Sequence, residues 1–288
     1  MKVAMATEHL LDHGMDQEKG IRFAKKLGFD GIDISLFNCM SDDDEMMKGD
    51  YLDHARHLKA VCDELSIAPI QCHTPFPIHR DNDDEYNEKV IEVQKKCLRI
   101  CGAMGIPVAV IHPWNNLTPE ENKLFYEKLY PVAEENHVII ATENMWNWNH
   151  EKDCAAYAAC STPENFLAHC EAMNKPYFKA CVDLGHANMF FFDKTVTPER
   201  MIRVLGHKYV CALHVHDNHG RYDEHEIPFT GNIHWKEVIQ ALRDIHYEGN
   251  IDLELAQRGD APLEVEEAYF RHAYMVGDYL RREILQDR

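Results

Sequence analysis

The chain has 288 residues, a length that one fully covered core can serve and that leaves little room for a second large domain. Its 30 basic and 49 acidic residues give a formal net charge of −19, which opposes docking on nucleic acid, and no basic stripe overrides it. No run reaches membrane-spanning length, and the ten cysteines are scattered without a C-x-x-C pair or an export signal ahead of them, as expected of reduced thiols in a cytoplasmic protein.

Short β-like runs alternate with longer runs of helical period along the whole chain. In order, strands over 2–6, 30–35, 68–73 and 107–112 are followed by helices over 16–27, 50–65, 84–105 and 118–135. Strands over 137–143, 179–184, 209–215 and 249–255 are followed by helices over 162–173, 197–205, 234–245 and 262–285. Ser161-Thr162-Pro163-Glu164 and Thr197-Pro198-Glu199 put a hydroxyl cap ahead of proline and acid, which marks helix starts. Eight evenly spaced units without a Gly-rich phosphate turn predict an α/β protein with one (β/α)8 TIM barrel over 1–288, in preference to an open doubly wound sheet. The longest irregular stretch, 144–161, carries Trp146, Trp148 and His150, and a long loop at that end of a barrel is usually functional.

In such a barrel the C-terminal ends of the strands form the active face. Polar residues end six successive strands: His73, His112, Glu143, Asp183, the pair His214 and His216, and Glu254. One histidine or acid at a strand end is usually a hydrogen-bonded structural residue. Six at one rim would repel or stay unsatisfied without a cation, so shared metal coordination is the less costly explanation. Mixed Glu, Asp and His donors suit Mn²⁺, Co²⁺, Zn²⁺ or Mg²⁺.

These motifs, Thr142-Glu143-Asn144, Asp183-Leu184-Gly185-His186, Leu213-His214-Val215-His216-Asp217-Asn218, Tyr222-Asp223-Glu224-His225 and Asp252-Leu253-Glu254-Leu255, resemble the xylose-isomerase-like barrels over nearly the whole chain. That family includes sugar isomerases, ketose 3-epimerases, inosose-processing enzymes and endonuclease IV. The resemblance implies a single-metal site of Glu143, Asp183, His214 and Glu254, with His186 and Arg221 holding substrate hydroxyls and with His73, His112 and Trp114 as further substrate contacts. Endonuclease IV implies a larger set, in which His73, His112, Glu143, Asp183, His186, His214, Asp223, His225 and Glu254 all have counterparts, so that Asp223 and His225 become additional ligands. The sequence departs from the family at Pro228-Phe229-Thr230-Gly231, where Phe229 replaces a glycine, and the turn there is expected to differ.

Isomerising a sugar requires removal of a proton beside a carbonyl, which a cation eases by stabilising the developing oxyanion. Glu143 and Glu254, on strands far apart around the ring, are placed to serve opposite faces of a ketose as base and acid. The expectation is therefore a divalent-metal-dependent isomerase or epimerase of a small sugar, polyol or sugar phosphate, as a possible homo-oligomer. The same barrel and ion also admit a lyase, dehydratase or C-glycoside-cleaving subunit. An endonuclease-IV-like phosphodiesterase and a non-catalytic metal-binding partner subunit are the readings from other classes. Against the phosphodiesterase stand the charge and the aromatic rim segments His112-Pro113-Trp114 and Trp146-Asn147-Trp148.

Other features are read more plainly. His54 and His57 belong to a solvated helix face, and Ser41-Asp42-Asp43-Asp44-Glu45 is an acidic turn without calcium-loop spacing. His79-Arg80 and Arg258 are candidates for a substrate phosphate, with an ordinary charged loop as the alternative. Met189-Phe190-Phe191-Phe192 reads as a lid, an oligomer contact or core.

Overall fold

Eight parallel strands carry the apolar runs. The computed structural model describes residues 1–256 and 261–286, so Arg258 lies outside the described residues. The chain runs through β1 (Val3–Ala6), α1 (Glu8–Asp12), α2 (Gln17–Leu27), β2 (Gly31–Ser35), α3 (Tyr51–Leu65), β3 (Ala68–His73) and α4 (Asp84–Met104). It continues through β4 (Val108–Val110), α5 (Pro119–Glu135), β5 (Ile139–Glu143), a hairpin of β6 (Asn147–Asn149) and β7 (Cys154–Ala156), and α6 (Pro163–Met173). It ends with β8 (Phe178–Asp183), α7 (Leu184–Asn188), α8 (Pro198–Tyr209), β9 (Val210–His214), α9 (Trp235–Asp244), β10 (Ile251–Leu253) and α10 (Leu263–Leu285).

The strands pair in the order β10-β1-β2-β3-β4-β5-β8-β9. The ring is completed between β9 and β10 by the Val215 N–H donating to the Asp252 carbonyl (2.8 Å). Successive strand residues face opposite sides of a sheet, and both sides here are buried. Ile140, Val182, Leu213 and Leu253 face outward into the main core beneath the helices. Val108, Val110, Ala141, Cys181 and Ala212 form a separate apolar cluster inside the ring.

Each predicted strand and long helix is present. Thr118 closes a capping box with Glu121, and Thr162 and Thr197 accept from the backbone N–H groups of Asn165 and Arg200. Three short elements lay beneath the resolution of periodicity, which needs more than one turn. They are α1, α7 and the β6–β7 hairpin within the irregular stretch. His57 faces Glu18 on the outer surface, as the solvated reading expects, whereas His54, beside Glu45, is half-buried with its Nε2 shut off from solvent.

Candidate metal centre

A strand's period of two positions the site. His73, His112, Glu143, Asp183, His214 and Glu254 each stand two positions beyond an interior residue: Gln71, Val110, Ala141, Cys181, Ala212 and Asp252. All six therefore turn inward at the mouth of the barrel. His216 extends the same alternation by one step.

Four of these donors meet at one point. Nδ1 of His214 lies 3.3 Å from Glu143 Oε1, 3.3 Å from Glu254 Oε2 and 3.7 Å from Asp183 Oδ2. Atoms bound to one ion at about 2.1 Å stand about 3.0–3.4 Å apart in octahedral or tetrahedral geometry, close to these spacings. Glu143 Oε2 and His214 Nδ1 are shut off from solvent, and neither has a hydrogen-bond partner. Such orphaned buried atoms are costly unless a cation accounts for them. The residues present therefore fit a divalent ion.

Two further groups flank this centre. On one side Nε2 of His112 lies 2.9 Å from Nε2 of His73 and 3.2 Å from Glu143 Oε2. The Nδ1 of His73 faces the Thr74 carbonyl, which leaves Nε2 toward the centre. On the other side Asp223 Oδ2 lies 3.1 Å from His186 Nε2 and 3.2 Å from His225 Nε2. His216 Nε2 sits 3.1 Å from both oxygens of Asp183. The described residues thus contain several three-residue groups that could hold a metal, among them His73, His112 and Glu143, and His186, Asp223 and His225.

Local sequence explains how these side chains are held. Asp183 accepts from the His186 N–H (2.6 Å), which starts α7 and sets His186 one turn beyond the strand. Asn144 bonds both backbone groups of Asp183 and receives His186 Nδ1 on its own carbonyl (2.9 Å). Gly185 is required, because a Cβ there would lie 1.9 Å from the His216 ring. Asp217 fastens the loop that delivers Asp223 and His225, accepting from the Phe229 N–H and Trp235 Nε1. Phe229 holds φ at +76°, a left-handed backbone that favours glycine, and its half-exposed ring rests against Trp235 and Tyr279.

Burial works against ionising the carboxyls here, but the imidazoles outweigh it. His214 and His112 hold Glu143 well below the usual range, His186 and His216 lower Asp183, and His186 and His225 hold Asp223 well down. Burial by itself would lower His225, and Asp223 lifts it to about 10. Unlike charges thus offset the cost of burial.

The centre opens into a cavity of about 300 Å³ walled by Phe37, Phe76, Met145 and Trp146 above His73, His112, His186 and Glu254. One titratable residue there was not singled out from sequence. Glu8, which opens α1, lies two positions past Ala6, and burial and then the Glu254 charge push it up to about 7. His216 was visible as the second imidazole of His214-Val215-His216, yet only the fold shows that it grips Asp183. Trp114 lines an adjoining cavity of about 260 Å³ and stacks on His79 at 3.5 Å between ring centroids. Arg221 does not line the central cavity. It pairs with Asp153 at the end of the β6–β7 hairpin and lies over the Tyr222 ring, half exposed. His79 faces Asp81 at 3.6 Å, and Arg80 stacks on Tyr86.

Eight parallel strands, covering helices and a rim of His, Asp and Glu define a TIM barrel with a candidate metal centre at its mouth. Residues 21–272 match the family described as xylose isomerase-like TIM barrel, and the chain belongs to that family. An uncharacterized protein of Methanocaldococcus jannaschii is 30% identical over 221 residues, which span 72% of this chain and 70% of the relative. Among solved structures, a D-tagatose 3-epimerase-like protein superposes with a TM-score of 0.73 at 21% identity, over 99% of this chain and 97% of its own. D-psicose 3-epimerase of Clostridium cellulolyticum H10 gives 0.73 at 18% identity over 99% of both chains. At these identities the structural likeness speaks to the fold alone. Among the described residues no helix is long and apolar enough to cross a membrane.

Proposed function

We propose that the chain is a divalent-metal-dependent isomerase or epimerase of a small sugar, polyol or sugar phosphate. One observation carries this reading: Glu143 and Glu254 each lie 3.3 Å from the same His214 nitrogen, at the floor of a cavity sized for a small polar molecule. The names of the solved neighbours, D-tagatose 3-epimerase-like protein and D-psicose 3-epimerase, support the same class.

In this reading Glu143, Asp183, His214 and Glu254 hold the ion. When bound it supplies positive charge beside a carbonyl, which lowers the cost of removing a proton from the next carbon. Glu143 and Glu254 are the proton acceptor and donor on opposite faces of the substrate. His73, His112 and His186 orient hydroxyls by hydrogen bonds, while Phe37, Phe76 and Trp146 exclude water from the reacting carbon. Asp223 and His225 fix His186, with Nε2 of His186 on Asp223 at 3.1 Å. Trp114 walls the adjoining cavity and contacts the far end of a longer substrate.

The test is incubation of the Mn²⁺-loaded protein with a panel of ketoses and ketose phosphates in deuterated water, followed by NMR. Deuterium entry at the carbon beside the carbonyl, lost on chelation, is the expected result. Absence of exchange and of any new sugar across the panel would overturn the reading. The same spectra separate elimination, which changes the carbon skeleton's oxidation pattern, from epimerisation, which returns an intact sugar.

A second reading rests on the convergence of His73, His112, Asp223 and His225 around the four-residue centre. That set has places for more than one ion, the arrangement of a phosphodiesterase. Two or three Zn²⁺ per chain and cleavage of DNA at an abasic site would favour it over sugar chemistry.

A further inference from the structure

A second cluster lies beside the barrel mouth, where His9 shares a small cavity with Glu8, His225 and Glu254. His9 and His13 stand one turn apart on and just past α1, so both rings share a face, with their centroids 4.3 Å apart. The first turn of α10 brings Glu266 against them. Oε1 of Glu266 is 3.1 Å from His13 Nε2 and 3.6 Å from His9 Nε2. Glu266 is 1% exposed, and neither its Oε1 nor His9 Nε2 has a hydrogen-bond partner.

The protons cannot satisfy this arrangement. His13 Nδ1 lies 2.8 Å from the His9 carbonyl, an acceptor only, so that nitrogen carries the hydrogen. In the neutral ring the lone pair of Nε2 then faces a carboxylate oxygen, also an acceptor. Charging His13 would repair that one contact and leave His9 Nε2 unpartnered. One cation among the three atoms accounts for all of them.

We propose that His9, His13 and Glu266 form a second divalent-metal site, of the zinc or cobalt class, beside the barrel mouth. Two imidazoles four residues apart with a carboxylate from another helix are a ligand set that Zn²⁺ accepts, with water completing the shell. The site joins the helix after β1 to the helix after β10, which are paired neighbours in the ring. The ion adds a tie to α1, a five-residue helix otherwise held by its buried Leu10, and with it to Glu8 at the cavity.

The test counts ions. Full-length wild type, His9→Gln and His13→Gln are purified without chelator, and metal per chain is measured by elemental analysis. A Glu143→Gln/Asp183→Asn variant, altered only at the barrel mouth, is measured beside them. Wild type should hold one ion per chain more than either histidine variant, and the double variant should retain that ion. In Zn²⁺ titrations of chelator-stripped protein, His13→Asp should restore the binding step that His13→Gln lacks. Equal ion content in wild type and both histidine variants would overturn the proposal and leave a buried imidazole–carboxylate pair. Should the histidine variants not fold, a double variant that binds no Zn²⁺ overturns it equally.

Discussion

Two layers of the barrel interior hold buried acids, and their surroundings treat them in opposite ways. In the lower layer Gln71 donates one amide to both Asp33 (3.1 Å) and Asp252 (2.9 Å). Burial raises Asp33, and burial with the neighbouring Asp33 charge holds Asp252 well above the usual range. This layer favours the protonated carboxyl. At the rim, on β5 and β8, Glu143 and Asp183 face imidazoles and are held below the usual range. That layer keeps negative charge, with atoms left open toward a common point. Burial and residue type are alike in the two layers, and what separates them is whether an amide or a group of imidazoles stands opposite the carboxyl.

The most severe way to break this contrast is to neutralise the rim. Glu143→Gln should lower kcat by about 10²–10⁴-fold, the usual worth of one acid–base group, and should weaken metal binding together with it. Steady-state rates and ion content check both, and a variant with full activity would remove Glu143 from the chemistry. Next comes the lower layer: Gln71→Leu removes the donor shared by two carboxyls and should cost about 1–3 kcal/mol for each acid left unsatisfied. Denaturant melts measure this, and the loss should appear whether or not metal is present.

The two layers should also answer pH with opposite signs in chelator-treated protein. A carboxyl raised in the folded state binds more protons there than in the unfolded chain. Its contribution is therefore complete below the unfolded value of about 4 and is lost as pH climbs toward the folded one. The rim carboxyls are depressed, so theirs is present above that value and is lost as pH falls through the folded one. Asp252→Asn should accordingly flatten the decline of Tm with rising pH and leave the acid limb unchanged. An unaltered profile would show that Asp33 and Asp252 do not share protons.

The smallest effect is expected outside both layers. Arg221 is tied to Asp153 rather than turned into the cavity, so Arg221→Ala should change kcat/KM by about two-fold or less, as surface substitutions usually do. A large rise in KM would mean that the loop turns over when substrate binds and would restore Arg221 as a hydroxyl contact.

The rim was legible because a strand's end and its period of two are local properties. Glu143, Asp183, His214 and Glu254 could be picked out as polar ends of apolar runs, and their meeting within 3.3–3.7 Å of one nitrogen follows once the ring closes. Glu8 was hidden, since it opens a helix of only five residues that leaves no periodic trace. At Pro228-Phe229-Thr230-Gly231 the phenylalanine is held at φ +76°, a backbone that favours glycine.

By itself the sequence determined the number and order of the βα units and the residue types at each strand end, because hydrophobic period and helix caps act within one or two turns. Only the tertiary structure decided which donors converge. Closing eight strands into a ring brings Glu143 to Glu254 and His9 to Glu266 across the length of the chain, and it decides whether a buried atom meets a hydrogen-bond partner or none.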